Sequence, residues 1–594
     1  MFDSNKEPVW DPDIKTLFVQ PPWLDPNEAQ IVGADWIAKM TDFGIQLDHY
    51  DSVKQWSVTI YYHLHSRNMP LTTNEAHFFP PEALELVRRW INQGCRRTNN
   101  ELIVVDEKIP ATVTQPPKVR VRKNILDLTE EELNTFRMKL DDLQIGDPSP
   151  DSPWQKLAYV HTNWCLHYQE AFLLWHRAFL LYFENLIDFP IPYWNWTSPD
   201  ASRPGNPESG LPQPYVDETY VHPRTGEIRP NPLRYAAAKD GKSKACSIPS
   251  NPCCQDNPAE EPHDCMFVQR DPILYTKGDG KERTKKLKNL EIYKQQILHA
   301  LTMDVFSVPQ GYPGIPWANI PTFNPPPEPS AYPNRTDFDG LYEQPHDNVH
   351  GWVGPDMADN AYTAFDPVFW GHHSNLDRIF EVWKRDHPAA QYTPNFPLQP
   401  FVGPIASELE LASPIRYLYT TIGDMTKDCR ALGYDYLPPQ SHDLAMAEKK
   451  SNDVHLFVVF EGVRCTHDTY QIEIFLDQDG ASLNDANFDN PHYAGQMTRC
   501  GMGVADNKGR CIKHSVTRVF DVTSTADKLE LQPDTEQLPS VSLVVFDVTK
   551  EVVVPRQEYE SLPGFAPKLE WRKPGQGNRK ARSVMLNPER RPAR

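Results

Sequence analysis

Residues 159–184, YVHTNWCLHYQEAFLLWHRAFLLYFE, decide the fold. From Gln169 to Ile187 the chain is apolar around its whole helical circumference, which predicts a helix enclosed in a bundle rather than one facing water. WQKLAYVHTNW, just before it, predicts another helix, carrying His161. His167 and His176 are nine residues apart, a spacing that puts them on opposite faces of an ideal helix. His167 is therefore expected ahead of the helix and His176 on it. A second stretch repeats the device. In EQPHDNVHGW (343–352), His346 and His350 are four apart and share one helical face. DPVFWGHHSNLDRIFEVW (366–383) then predicts a helix opening near Asp366-Pro367 and carrying His373 close to its start.

Outward from these segments, helices are expected over about 28–65, 81–93, 128–144 and 287–305. PPEALELVRRWI opens on Pro and Glu before an apolar repeat, and LTEEELNTFRMKLDDLQ places Thr129 three residues before Glu132, the pattern of a capping box. The interval 197–330, rich in Pro, Gly and Asn, reads as elaborated loops. Near residue 450 the pattern changes. HLFVVFEGV, YQIEIFLDQ, HSVTRVFDV and VSLVVFDVT are short and β-branched, with turn residues between them, and predict an antiparallel β-sandwich. The expected fold class is thus a mainly α helical-bundle domain followed by an antiparallel β-sandwich. The expected organisation is a helical N-terminal extension over 1–124 packed on a bundle domain at 125–445, then the sandwich at 446–567 and a basic, flexible tail at 568–594. MAEKKSNDV supplies a polar linker around 440–452.

A length of 594 residues exceeds one ordinary core. The net charge of −20 argues against nucleic acid as a partner. No apolar run approaches the roughly 18 residues of a membrane span, and the first residues lack the pattern of a secretory signal, so a cytoplasmic or otherwise intracellular location is expected. Asn195-Trp-Thr197 fits a glycosylation pattern that is common by chance. Cys246, Cys253, Cys254 and Cys265, with His263, crowd one polar loop, readable as a disulfide staple, a metal-trafficking site or reduced thiols.

A single histidine in an apolar helix is ordinarily a hydrogen-bonded core residue. Six of them in two spaced sets, among Trp, Phe and Leu, point instead to two metal ions. Neutral imidazole suits copper, and three nitrogens per ion leave a coordination position open for O2. The candidate ligands are His161, His167 and His176 for one copper and His346, His350 and His373 for the other.

WHR at 175–177 with FE at 183–184, and DPVFWGHHSNLDRIFEVW at 366–383, resemble the two copper signatures of the type-3 copper family. That family comprises tyrosinases, catechol oxidases, o-aminophenol oxidases and molluscan hemocyanins. LGYDYLPP, with Tyr434 and Tyr436, is similar to the tyrosine pair closing the family's copper domain. The resemblance implies that His373 is the ligand and His372 a neighbour. It also implies a thioether from Cys165 to His167 and a place for Phe369 over the coppers. Asp347 stands where tyrosinases frequently carry an Asn that orients a proton-accepting water. Asp337, Asp339 and Glu343 are candidates for the family's water-holding Glu, and His63, His65 and His77 are substitutes for His161. Arg177, Glu184, Asp377 and Arg378 are expected to pair with one another or with ligand rings.

The chemistry so implied is oxidation of o-diphenols to o-quinones by a polyphenol oxidase of the catechol oxidase or tyrosinase kind, with two coppers as cofactor and O2 as co-substrate. Monophenol hydroxylation (a monooxygenase step) and o-aminophenol oxidation are left open. So are a latent form plugged by Phe488, Tyr493 or Met497 and an oxygen carrier. Expected partners are a small phenol and O2, with self-association into a homo-oligomer left open and a role in melanin formation, defence or secondary metabolism.

Overall fold

The computed structural model describes residues 7–572 apart from 42–44, 66–69, 71–73, 106–118, 168–170, 248–263, 277–279, 304–305, 307–337, 391, 393–397, 399, 402–421, 438–453, 465, 502–515, 534–537 and 563. The chain forms two compact units. One takes Met1–Pro117 with Asn395–Asp424, the other Lys118–Pro394 with Met425–Arg594. The linker expected at 440–452 and most of the basic tail lie outside the described residues.

The first unit contains helices α1 (Lys15–Val19), α2 (Pro26–Thr41), α3 (Tyr50–His65) and α4 (Pro81–Asn92). α4 carries Pro at its first position, where the missing N–H costs nothing. Its core is aromatic: Trp10, Phe18, Trp36, Phe79 and Trp90 are buried together.

The second unit begins with β1 (Arg120–Arg122), then α5 (Glu130–Asp142), α6 (Pro153–Trp164) and α7 (Phe172–Ile187). α5 starts with the expected capping box, in which Thr129 Oγ1 accepts from the Glu132 amide and the Glu132 carboxylate accepts from the Thr129 amide. Between α7 and α8 (Lys281–Ala300) the described residues form the two-stranded hairpin β2 (Thr219–Val221) and β3 (Ile228–Pro230), short 3-10 turns and loops. α8 starts earlier than expected because its first turns, KERTKK, are polar and carry no apolar period. α9 (Phe338–Val353) and α10 (Pro367–Asp386) complete the helical core. α10 begins where Asp366 accepts from the Val368 amide at 2.8 Å. β4 (Tyr434–Tyr436) pairs in parallel with β1, Arg120 against Tyr434 and Arg122 against Tyr436.

The C-terminal strands are β5 (His455–Val463), β6 (Tyr470–Leu476), β7 (Tyr493–Arg499), β8 (Val516–Asp521), β9 (Val541–Asp547), β10 (Val552–Val554) and β11 (Pro567–Arg572). They form a four-stranded sheet ordered β10-β9-β6-β7 and a three-stranded sheet ordered β11-β5-β8, with antiparallel pairing throughout. All four expected strands are present. β7 was not expected; every one of its residues is buried, so it shows no in–out alternation.

The sheets pack directly on the helical core. A Cβ on Gly351 of α9 would lie 2.1 Å from Thr498 Oγ1, so helix and strand approach to a distance only glycine permits. Thr498 N donates to Asn348 Oδ1 at 2.9 Å and Tyr293 Oη of α8 to the Gln496 carbonyl at 2.9 Å. Arg518 of β8 is paired with Glu343 of α9 at 2.6 Å, both without solvent exposure. Among the described residues, no helix is long and apolar enough to cross a membrane.

Candidate metal centre

α6, α7, α9 and α10 bring the six histidines into one buried cluster. His161 lies on the last full turn of α6, His167 in the segment after it, and His176 on the second turn of α7. Their ring centroids are 5.1 to 5.5 Å apart. His346 and His350 project from the same face of α9, centroids 4.4 Å apart, with His373 of α10 at 5.0 and 5.5 Å from them. The two sets face each other: His176 stacks on His373 at 4.2 Å and His167 on His346 at 5.7 Å. All six are 2% exposed or less.

The hydrogen bonds fix the tautomers of three rings. His161 Nδ1 lies 3.0 Å from the Asn360 carbonyl, His176 Nδ1 2.8 Å from the Phe172 carbonyl, and His350 Nδ1 2.8 Å from the Met357 carbonyl. A carbonyl oxygen only accepts, so each Nδ1 carries the hydrogen and each Nε2 keeps its lone pair. Nε2 of His176, His346, His350 and His373 has no hydrogen-bond partner despite complete burial. A buried, unpartnered acceptor costs free energy unless something binds it, and imidazole nitrogens so presented fit a copper pair. Burial also keeps the rings neutral, the form that binds metal. It pushes His176 down to about 3 and His350 down to about 4, while burial and the neighbouring histidines push His346 and His373 well below the ordinary value.

His372 also lies near: one ring nitrogen from each of His346, His350, His372 and His373 falls within 4.8 Å of the others. His373 stacks on His176 of the other set at 4.2 Å, whereas the His372 ring lies 5.0 Å from His350, 5.4 Å from His346 and 5.9 Å from Trp196. Cys165 is fully buried, and its sulfur lies within 4.8 Å of a ring nitrogen of His161 and of His167. Phe369 touches both sets, 4.9 Å from His161 and 4.3 Å from His373. Phe172, which sequence reasoning missed, makes a second bridge, 4.6 Å from His346 and 4.9 Å from His176.

Asp347 is buried with Oδ1 2.9 Å from His346 Nδ1, while Oδ2 has no hydrogen-bond partner. Burial pushes its carboxyl well up, Arg518 and Arg499 opposing and Glu343 adding. Glu343 is engaged by Arg518; Asp337 and the side chain of Asp339 lie outside the described residues. His77 bonds Glu28 at 3.0 Å in the first unit, and the side chains of His63 and His65 lie outside the described residues.

The expected charged residues do pair, but around an arginine that sequence reasoning did not single out. Arg122 of β1 binds Glu184 at 2.7 Å and Asp377 at 2.9 Å, and Arg177 binds Asp377 at 2.5 Å and Glu381 as well. Tyr434 and Tyr436 donate to Asp377 Oδ2 at 2.7 and 2.5 Å. This network joins the helix of His176 to the helix of His373. Arg378 turns instead to Asn195 Oδ1 at 2.8 Å, so the sequon asparagine is buried and occupied. Phe488 and Tyr493 pack on each other at 4.8 Å in a cluster with Phe475, and Met497 pairs with Ile472 inside the four-stranded sheet. Among the described ring contacts, neither Phe488 nor Tyr493 meets a histidine of the cluster. Cys265 is disulfide-bonded, which favours the staple reading of its loop; Cys253, Cys254 and His263 lie outside the described residues.

The residues that carry the six histidines also match a known family. Residues 151–386 match the family described as the common central domain of tyrosinase. Hemocyanin G-type, units Oda to Odg, of Enteroctopus dofleini is 26% identical over 290 residues, 45% of this chain and 8% of that protein. The latent, chloroplastic polyphenol oxidase of Prunus armeniaca is 26% identical over 291 residues, 43% of this chain and 39% of that protein. The match thus spans well under half of either relative. The deoxygenated hemocyanin of Rapana thomasiana aligns with 76% of this chain and 99% of its own at a TM-score of 0.50 and 17% identity, a likeness of fold.

Proposed function

We propose, from the match of residues 151–386 to the common central domain of tyrosinase, that this protein is a dicopper oxidase of the type-3 copper kind converting o-diphenols to o-quinones with O2. One observation carries the reading: two histidine triads facing each other, with the buried Nε2 atoms of His176, His346, His350 and His373 left without a hydrogen-bond partner. His161, His167 and His176 would hold one copper and His346, His350 and His373 the other. Bound there, the copper pair supplies O2 binding and accepts two electrons from the phenol.

The chain's own residues supply the remainder. The carbonyls of Phe172, Asn360 and Met357 hold three imidazoles in the tautomer that presents Nε2. Asp347 Oδ1 orients His346, and Oδ2 is the atom that takes up a phenolic proton. Phe369 and Phe172 keep water from the rings of both triads. A thioether from Cys165, whose sulfur lies within 4.8 Å of a ring nitrogen of His167, would lock that ring. The two C-terminal sheets are read as a sandwich that covers α9. Monophenol hydroxylation and o-aminophenol oxidation belong to the same site.

Oxygen consumption by copper-loaded full-length protein, offered catechols, o-aminophenols and monophenols in parallel, tests the reading. Uptake with the ortho-substituted phenols supports it. A protein holding two coppers that consumes no oxygen with any panel refutes it. The second reading is then an oxygen carrier, which the hemocyanin relatives favour as strongly as the polyphenol oxidase relative favours an enzyme.

A further inference from the structure

One loop, residues 356–363 between α9 and α10, holds a histidine of each triad. Its Asn360 carbonyl accepts from His161 Nδ1 at 3.0 Å, and its Met357 carbonyl accepts from His350 Nδ1 at 2.8 Å. The Thr363 hydroxyl lies 2.9 Å from His350 Nδ1, and the Ala361 carbonyl accepts from Thr162, the neighbour of His161, at 2.9 Å. Backbone oxygens can orient rings only as well as the loop itself is held. Asp356 opens the loop, fully buried. It accepts from Ser243 Oγ at 2.7 Å and from the amides of Gln269 and Lys244, all in the long segment between α7 and α8. From the opposite side Thr469, just before β6, donates its hydroxyl to the Ala358 carbonyl at 2.5 Å. Upstream, Gly354 at φ +124° has room for no Cβ, which would lie 2.4 Å from the Asp271 amide, so the chain enters the loop in one conformation.

We infer that Asp356 is a positioning residue for both metal sites at once: by fixing the 356–363 loop it sets the orientation of His161 and His350 together. The inference rests on the dicopper reading. Its consequence is coupling, in that one substitution at a residue that is not itself a ligand weakens both coppers in parallel.

The test uses full-length, copper-loaded protein titrated with a chelator, with copper per chain measured together with the Cu(II) paramagnetic resonance signal. A coupled pair of Cu(II) ions is silent, whereas a lone Cu(II) gives a signal. Asp356→Asn keeps the shape but sets an N–H against a donor. It is expected to release both coppers together at about 10- to 100-fold lower chelator concentration, the range typical of residues that orient ligands. Thr469→Val should shift release the same way from the other side. Asp217→Asn, which breaks the Arg137–Asp217 pair (2.9 Å) elsewhere in the unit, controls for general destabilisation and should leave the chelator profile unchanged. Wild-type protein that takes up no copper pair refutes the dicopper reading itself. Wild type holding two coppers, with Asp356→Asn releasing them along the same curve, overturns the inference. So does an Asp356→Asn protein that loses one copper and shows the signal of the other.

Discussion

Replacing Asp377 by Asn tests what holds the two ligand helices together. The cluster around it is balanced: Arg122, Arg177 and Lys384 against Glu184, Asp377 and Glu381. Burial pushes the Asp377 carboxyl up, but Arg177, Arg122 and the two tyrosine hydroxyls outweigh it and hold it below its ordinary value, so it is ionised in the folded protein. Asn removes that charge and leaves this largely buried cluster one positive charge in excess. The new amide will keep its oxygen where Oδ2 was, because Arg122, Tyr434 and Tyr436 all donate there. Its NH2 then faces Arg177 Nε, which loses its 2.5 Å acceptor. Arg122 keeps both bonds to Glu184, at 2.7 and 2.9 Å, so the loss belongs near the lower end of the roughly 3–5 kcal/mol seen when one partner of a buried pair is removed. Asp377→Leu, which also strands the two hydroxyls, belongs near the upper end. At about 1 °C per kcal/mol for a unit of about 450 residues, each contributing about 2.1 cal/mol/K of unfolding entropy, the Asn variant should melt about 3 °C lower. Urea unfolding of the metal-free protein, followed by tryptophan fluorescence, measures it. A loss below about 1 kcal/mol would show that the guanidinium pair does not need its shared carboxylate, and the account of the network would fail.

Gly351→Ala should separate β7 from α9, since the added carbon meets the Thr498 side chain; overpacking of this kind costs about 1–3 kcal/mol, read as a lower unfolding midpoint with faster amide exchange in β7. Burial pushes Asp521 up, but the bond to His455 at 2.9 Å, the His455 charge and Thr523 more than offset it, and its folded value lies below the ordinary one. A depressed carboxylate stabilises above its unfolded value near 4 and loses that contribution as pH falls through the folded value. Wild type should therefore exceed Asp521→Asn in stability at pH 6, with the gap closing below about pH 4; a gap that widens in acid would reverse the assignment.

Much of the helical site could be read from residue order, because its signals are local. The all-round apolar character of α7, the His346–His350 spacing and the Asp366-Pro367 start each report on a few consecutive residues, and the structure has them in place. What escaped has no local signal. Arg122 meets its partner Asp377 across 255 positions, and nothing around RVR distinguishes it from a surface strand. The atoms that fix His161 and His350 are backbone carbonyls, which every residue possesses, so no residue type marks Asn360 or Met357. β7 hid because YAGQMTR lacks the β-branched run that marks β5, which is buried almost as fully.

The parallel pairing of Arg120–Arg122 with Tyr434–Tyr436 has an architectural consequence. The chain enters and leaves the histidine-bearing helices through neighbouring strands, like the two leads of a plug. Segments whose ends meet can be spliced into a longer polypeptide without disturbing what they enclose. The helical core is in this sense a cassette whose two ends lie side by side, while the strands that follow residue 436 stay packed against α9 and the loop after it.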